Sequence, residues 1–355
     1  LWSDTWDRDL DDVFEIQDEI AKKVVDELRV QLLGELPHAV PTDGETYALY
    51  LRARHTINQR TYESLMRGEE LIDRALEIDP AYAPGWVLKA HVHSQQGDVG
   101  ARLPHEAAPM ARAAVNRALE LDPGNAAAHA VSGDIMISFE RRYPDAKQAF
   151  DTALELDPYD VDVLYQASMY YAITGHPERA LELGIRIHER DPLFVPAYAS
   201  LAYIYNILGR YEEAEAACRK RIDISPDSYG SYYYLSFPLF LMGRYEEALA
   251  AVQNERLDGF KQTMLAILHW KLGNRAASDD ALEALLAQQS GGWDWQVVQV
   301  RAFRGELDEA FEALEQAYVN RDTGLQLILG DQLINNLRGD PRYEAMIDKM
   351  GIRVD

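Results

Sequence analysis

Cysteine is almost absent from this sequence: Cys218 is the only one in 355 residues. A single thiol excludes an intrachain disulfide framework and the small stapled folds that depend on one. Long apolar runs are missing as well. The longest candidate, YYYLSFPLFLM at 232–242, carries Pro238 and falls short of the roughly 18–20 residues that cross a bilayer. Positive charge is scarce, with 35 Lys and Arg against 59 Asp and Glu and a formal net charge of −24. So acidic a chain repels phosphate backbones and anionic headgroups, which argues against direct nucleic-acid or membrane-surface binding. Also missing are a CxxC pair, a phosphate-cradling glycine loop, a nucleophile elbow and an HExxH pair. No cofactor, metal site or catalytic residue is therefore expected. The chain starts at Leu1 with neither an initiator Met nor a signal sequence, which reads as a piece of something longer. Its compartment is then cytoplasmic or periplasmic, the cytoplasm taken first.

What the sequence does have is repetition. LGRYEEAEAA occupies 208–217 and MGRYEEALAA occupies 242–251, 34 positions later. Prolines that close LDP, IDP or DP segments stand at Pro80, Pro123, Pro158, Pro192 and Pro226, with spacings of 43, 35, 34 and 34. Glycines at Gly175, Gly209, Gly243, Gly273 and Gly305 precede segments like YEEA, with spacings of 34, 34, 30 and 32. Small residues recur behind them at Ala146, Ala180, Ala214, Ala248, Ser278 and Ala310. Each unit reads as two short helices and a turn. In 195–226, Tyr198, Leu201, Ala202 and Tyr205 share one helical face, Gly209 ends the first helix in the left-handed conformation, and Pro226 stops the second. A helix pair cannot bury its apolar face alone, so stacked copies must cover it.

These residues resemble the tetratricopeptide repeat, a 34-residue helix–turn–helix unit. The resemblance implies an all-α, right-handed superhelical solenoid of antiparallel helix pairs. The expected division is a linker and N-terminal amphipathic helix at 1–45, an array of about eight units at 46–320, and a C-terminal capping segment at 321–355. In the first part, Asp12 and Glu15 make a capping-box pattern, and Val13, Ile16, Ile20, Val24, Leu28 and Leu32 form one apolar stripe. That helix caps the first repeats or pairs two chains through residues 11–33. In the last part, Asp340 and Pro341 open a final helix. A second resemblance is carried by LWSDTWDRDLDDVFEIQDEIA (1–21), YLRARHTINQRTYESLMRGEELIDRALEIDPAYAP (50–84) and LRGDPRYEAMIDKMG (337–351). These are similar to bacterial signalling proteins in which a nucleotidyl cyclase or winged-helix domain and a TolB-like domain precede such repeats. None of that family's catalytic or DNA-reading motifs lies in this chain.

Three departures from the repeat stand out. The second unit is 9 residues longer than the 34 of its successors, which suggests a loop insertion near 97–110. Pro238 falls inside the first helix of the sixth unit, and a kink is expected there. His91 and His93 invite a metal reading, but residues two apart on a helix point in different directions. His91 is expected to face the groove and His93 to pack.

In this architecture the first helix of each unit lines the concave face. The repeat phase places His91, Asp134, Tyr165, Met169, Tyr203, Asn206, Tyr233, Phe237 and Phe240 there. An aromatic, nearly uncharged groove in an acidic exterior suits a peptide or protein segment. The leading expectation is a noncatalytic interaction scaffold, the docking arm of a signalling protein. Two alternatives are a self-association module and a small-molecule sensor with a pocket shaped by Pro238, Tyr233 and Phe237. An enzyme would need a polar cluster contributed by several repeats.

Overall fold

The structure, a computed structural model, describes residues 42–288 and 292–353. The expected amphipathic helix at 11–33, and any pairing of chains through it, lie outside the described residues. Within them the chain forms 17 α-helices. Sixteen make eight successive hairpins: α1 Gly44–Ile57 with α2 Tyr62–Ile78, α3 Ala83–Asp98 with α4 Pro104–Leu121, α5 Ala126–Ile135 with α6 Tyr143–Leu156, and α7 Val161–Ile173 with α8 Pro177–Arg190. The series continues with α9 Val195–Ile207 and α10 Tyr211–Ile224, α11 Ser231–Leu241 and α12 Tyr245–Val252, α13 Asp258–Lys271 and α14 Arg275–Leu286, and α15 Asp294–Arg304 and α16 Leu307–Asn320. Two 3₁₀ turns, Thr323–Leu327 and Asn335–Leu337, lead to α17 Pro341–Met350. The fold is an all-α solenoid.

The recurrent residues do what their chemistry requires. The turn glycines between paired helices take positive φ, 72° at Gly209 and 78° at Gly243, where a side chain would strain the backbone. Ala146, Ala180, Ala214, Ala248, Ser278 and Ala310 are all completely buried. They sit where the two helices of a hairpin touch: Ser168 Oγ donates to the Ala180 carbonyl at 2.8 Å, and Ser278 Oγ to that of Ala266 at 2.7 Å. A larger side chain there would force the helices apart. The last helix is capped by Asp340, whose carboxylate accepts from the Arg342 amide at 2.9 Å, with Pro341 behind it.

Irregular spacings have local causes. The longer second unit is not a loop insertion. Its helices α3 and α4 have 16 and 18 residues where α7 and α8 have 13 and 14, and the turn between them gains the rest. The 35-residue spacing at the third unit coincides with a π-helical turn, Met136–Glu140, at the end of α5. A π turn takes up one extra residue without leaving the helix path. No glycine follows it; Arg141 takes the left-handed conformation instead, at φ 54°. Pro238 is buried inside α11, which continues to Leu241.

The array closes on itself. The turn after α1 meets the loop before α11: the Tyr229 amide donates to the Arg60 carbonyl at 2.9 Å, and Ser228 Oγ to that of Gln59 at 3.1 Å. Arg54 pairs with Asp162 at the start of α7 at 2.8 Å. The segment after α16 returns across the inner face. Arg321 donates to the Phe139 carbonyl at 3.2 Å, and Gln332 to the Asn206 carbonyl at 2.6 Å. Leu325, Ile328, Leu333, Ile334 and Leu337 of this segment are buried. At roughly 1.5–3 kcal/mol per fully buried aliphatic side chain, they anchor it as part of the core.

Candidate functional site

The first helices α3, α5, α7, α9, α11, α13 and α15 touch one another in succession, so they line the inner face of the superhelix. The returning segment divides that face in two. In the C-terminal half, Tyr203, Asn206, Tyr233 and Phe237 surround a cavity of about 50 Å³ together with Tyr234, Gln299, Leu327, Gly330, Asp331 and Gln332. A space of that size holds a few waters, not a peptide. Its wall is tied together: Tyr233 donates to Gln299 at 3.2 Å, and Gln299 donates to Asp331 at 2.6 Å. A Cβ on Gly330 would lie 2.4 Å from the Tyr203 hydroxyl, so the segment presses directly on α9. Burial holds the Asp331 carboxyl above its ordinary range, and the Gln299 amide and Leu333 N–H oppose that shift.

Two residues placed in the groove by the repeat phase are buried in the core. Phe240 is buried against Tyr245 and Phe303, with ring centroids 5.6 and 5.4 Å away. Tyr233 is buried and stacked on Phe260 at 4.4 Å, so it is a wall of the core as well as of the cavity. The reason is curvature: closing the superhelix brings α13 and α15 over the face that α11 would otherwise show.

The N-terminal half stays open. His91, Asp134, Tyr165 and Met169 all keep part of their surface accessible. Tyr165 is oriented by Phe194, edge to face at 5.8 Å. Asp134 accepts from Ser94 at 2.7 Å and from Ser138 at 3.3 Å, and burial raises its carboxyl. His91 accepts from Gln95, and burial pushes its imidazole down to about 4, leaving it neutral at pH 7. His93 is buried beside Gln96, 3.3 Å from its oxygen, so the two imidazoles do not converge. Asp98 shares the α3 face with His91 and Gln95. Its side chain keeps contact with solvent, while desolvation, with Asp134's charge, pushes its carboxyl up to about 7. Arg60 borders this half, its guanidinium 4.9 Å from the Tyr229 ring. The repeat phase missed Arg60, Asp98, Tyr229 and Tyr234. Arg60 carried a signal: it stands at φ 54° in a turn where most units place glycine. Cys218 is buried, and burial pushes its thiol up to about 12, which makes it inert at neutral pH.

Models of the tetratricopeptide repeat match residues 195–228 and 263–324. The chain carries tetratricopeptide repeats. Over 87 residues it is 39% identical to a Rhizobium meliloti (strain 1021) protein named "Putative adenylate cyclase 3". That stretch is 23% of this chain and 15% of the relative, so the similarity spans a small part of that protein. Among solved structures, the chain is similar to a human IFIT1 dimer with m7Gppp-AAAA, with a TM-score of 0.60 at 12% identity, covering 95% of this chain and 78% of that one. It is also similar to an IFIT1 monomeric mutant with Gppp-AAAA, with a TM-score of 0.58 at 12% identity, covering 97% and 82%. At such identity the likeness concerns the tetratricopeptide fold alone. Among the described residues, no helix is long and apolar enough to cross a membrane.

Proposed function

We propose that this tetratricopeptide array is a noncatalytic interaction scaffold that holds a partner's peptide segment in the N-terminal half of its concave face. One observation carries the reading: the returning C-terminal segment fills the half around Tyr203 and Tyr233, and leaves His91, Asp134, Tyr165 and Met169 accessible. The scaffold role itself is the one tetratricopeptide repeats serve. A preformed trough with an aromatic anchor binds a segment without paying to order itself first. The similarity to part of "Putative adenylate cyclase 3" supports a place as the docking arm of a longer bacterial signalling protein, with any cyclase outside this chain.

The test is site-specific photo-crosslinking. A benzophenone amino acid is placed at Met169 inside the trough or at Val319, an exposed position on α16. In cells that produce the chain, the position-169 probe is expected to yield an adduct containing a partner-derived peptide, and the position-319 probe none. Adducts at 319 with none at 169 would move the interaction to the outer surface. Removing Tyr233 would be a poor test, because its ring supports Phe260 and the loss would be structural.

A further inference from the structure

The contact that closes the superhelix gathers polar groups from five hairpins into a chamber on the open half of its inner face. Arg60 enters from the first, His91, Gln95 and Asp98 from the second, Asp134 from the third, Tyr165 from the fourth, and Tyr229 and Tyr234 lie at the start of the sixth. Contacts bring several of them together: the Arg60 guanidinium lies 4.9 Å from the Tyr229 ring, Gln95 donates to His91, and Ser94 beside Gln95 donates to Asp134 at 2.7 Å. Arg60 also feels Tyr165, Tyr234 and Asp98, while Asp98 feels Asp134, Arg60 and Asp322.

The chamber is incompletely paired. The Arg60 guanidinium donates no hydrogen bond and makes no ion pair among the described residues, and its Nε is buried without a partner. Arg221 behind it gives one hydrogen bond, to the Tyr229 carbonyl at 2.7 Å, while its Nε and Nη1 have none. The Gln95 Oε1 and the Tyr229 hydroxyl, on side chains more than nine-tenths buried, also lack partners. Buried polar groups are nearly always paired in native proteins, so a cluster of unpaired ones marks where a ligand completes the set. The backbone points the same way. Among the described residues, three non-glycine residues hold positive φ: Arg60, Arg141 and Arg321. Arg141 stacks on Tyr318 at 4.1 Å and Arg321 donates to the Phe139 carbonyl. Arg60 lies over Tyr229, but its N–H groups go unused. An arginine in that conformation carries backbone strain that glycine would not. What it adds is a guanidinium facing the chamber.

We infer that this chamber binds a small zwitterion of the free amino-acid class. The carboxylate meets Arg60 and the hydroxyls of Tyr165, Tyr229 and Tyr234, and the ammonium meets Asp98 and Asp134. A simple anion would be repelled by the two aspartates, and a simple amine by Arg60 and Arg221; a ligand with both charges answers both ends. Because the chamber joins the first hairpin to the sixth, its ligand also clamps the closure of the superhelix. This inference rests on the inner face being a binding surface, but it fails separately from the peptide reading. Photo-crosslinking at Met169 can succeed with the chamber empty.

The experiment is a melting-temperature screen of the full chain against the 20 standard L-amino acids at millimolar concentration, followed by calorimetry. For each amino acid that binds, the matching amine and the matching des-amino carboxylic acid are tested beside it. At least one amino acid is expected to raise the melting temperature, with its amine and its acid binding at least tenfold more weakly. Arg60→Gly, which suits the turn, and Asp98→Asn should each weaken binding at least tenfold while leaving circular dichroism unchanged. No shift with any amino acid, equal binding of the amine or acid, or unchanged affinity in both variants would overturn the inference.

Discussion

A chain ending at Asn320 is expected to lose the cooperative fold of its last hairpins. Removing the rest deletes ten buried apolar side chains: Leu325, Ile328, Leu333, Ile334, Leu337, Tyr343, Met346, Ile347, Met350 and Ile352. Their gross burial is offset in part by the entropy of ordering the segment, so the loss is not their sum. What decides the outcome is the surface left behind. Trp295 and the aromatic wall at Tyr203 and Tyr233 would face water, together with Gln299, whose partner is Asp331. The expected destabilisation is about 5 kcal/mol or more, comparable to the whole stability of many domains. Chemical denaturation followed by circular dichroism should show a lower midpoint and a split or broadened transition. A truncated chain that unfolds in one transition at the original midpoint would show that the segment is an appendage.

Trp295→Ala should be the most damaging single substitution in the same region. The indole is fully buried, and a Cβ on Gly324 would lie 2.7–2.8 Å from its atoms, so the C-terminal segment rests on it directly. Its own amide donates to Asp322 at 3.1 Å, and the Gly324 amide donates to the other oxygen of that carboxylate at 2.8 Å. One tryptophan therefore joins the eighth hairpin to the returning chain by packing and by a shared carboxylate. Deleting a buried aromatic ring of this kind costs about 3–5 kcal/mol, through lost burial and the cavity left behind. Equilibrium denaturation should report that loss with little change in slope. A loss below about 1 kcal/mol would mean that the site collapses freely and that the segment is loosely seated.

Local architecture was legible in the sequence because repetition is a local statement. Gly209 and Gly243 mark left-handed turns, Ala146 through Ala310 mark helix crossings, and Asp340 with Pro341 marks the last helix start. Each of these follows from one hairpin and its neighbour. The closure was not legible. The pairs Arg54 with Asp162, Phe139 with Arg321, and Asn206 with Gln332 join residues 108, 182 and 126 positions apart. No periodic pattern encodes them, because they depend on curvature summed over many units. The groove reading therefore gave Tyr203, Asn206, Tyr233 and Phe237 a face open to ligand, when the chain's own C-terminal segment covers it. It passed over Asp98 and Tyr229, which matter only after the first hairpin meets the sixth.

Residues 323–337 are built into the inner face and fill the half around Tyr203 and Tyr233. Native-state hydrogen exchange read peptide by peptide tests this most directly. The account predicts that the protected amides of 325–337 exchange as slowly as those of α15, through the same cooperative opening. Exchange of that segment orders of magnitude faster than α15 would contradict it. The aromatic half of the groove would then be open to ligand as well.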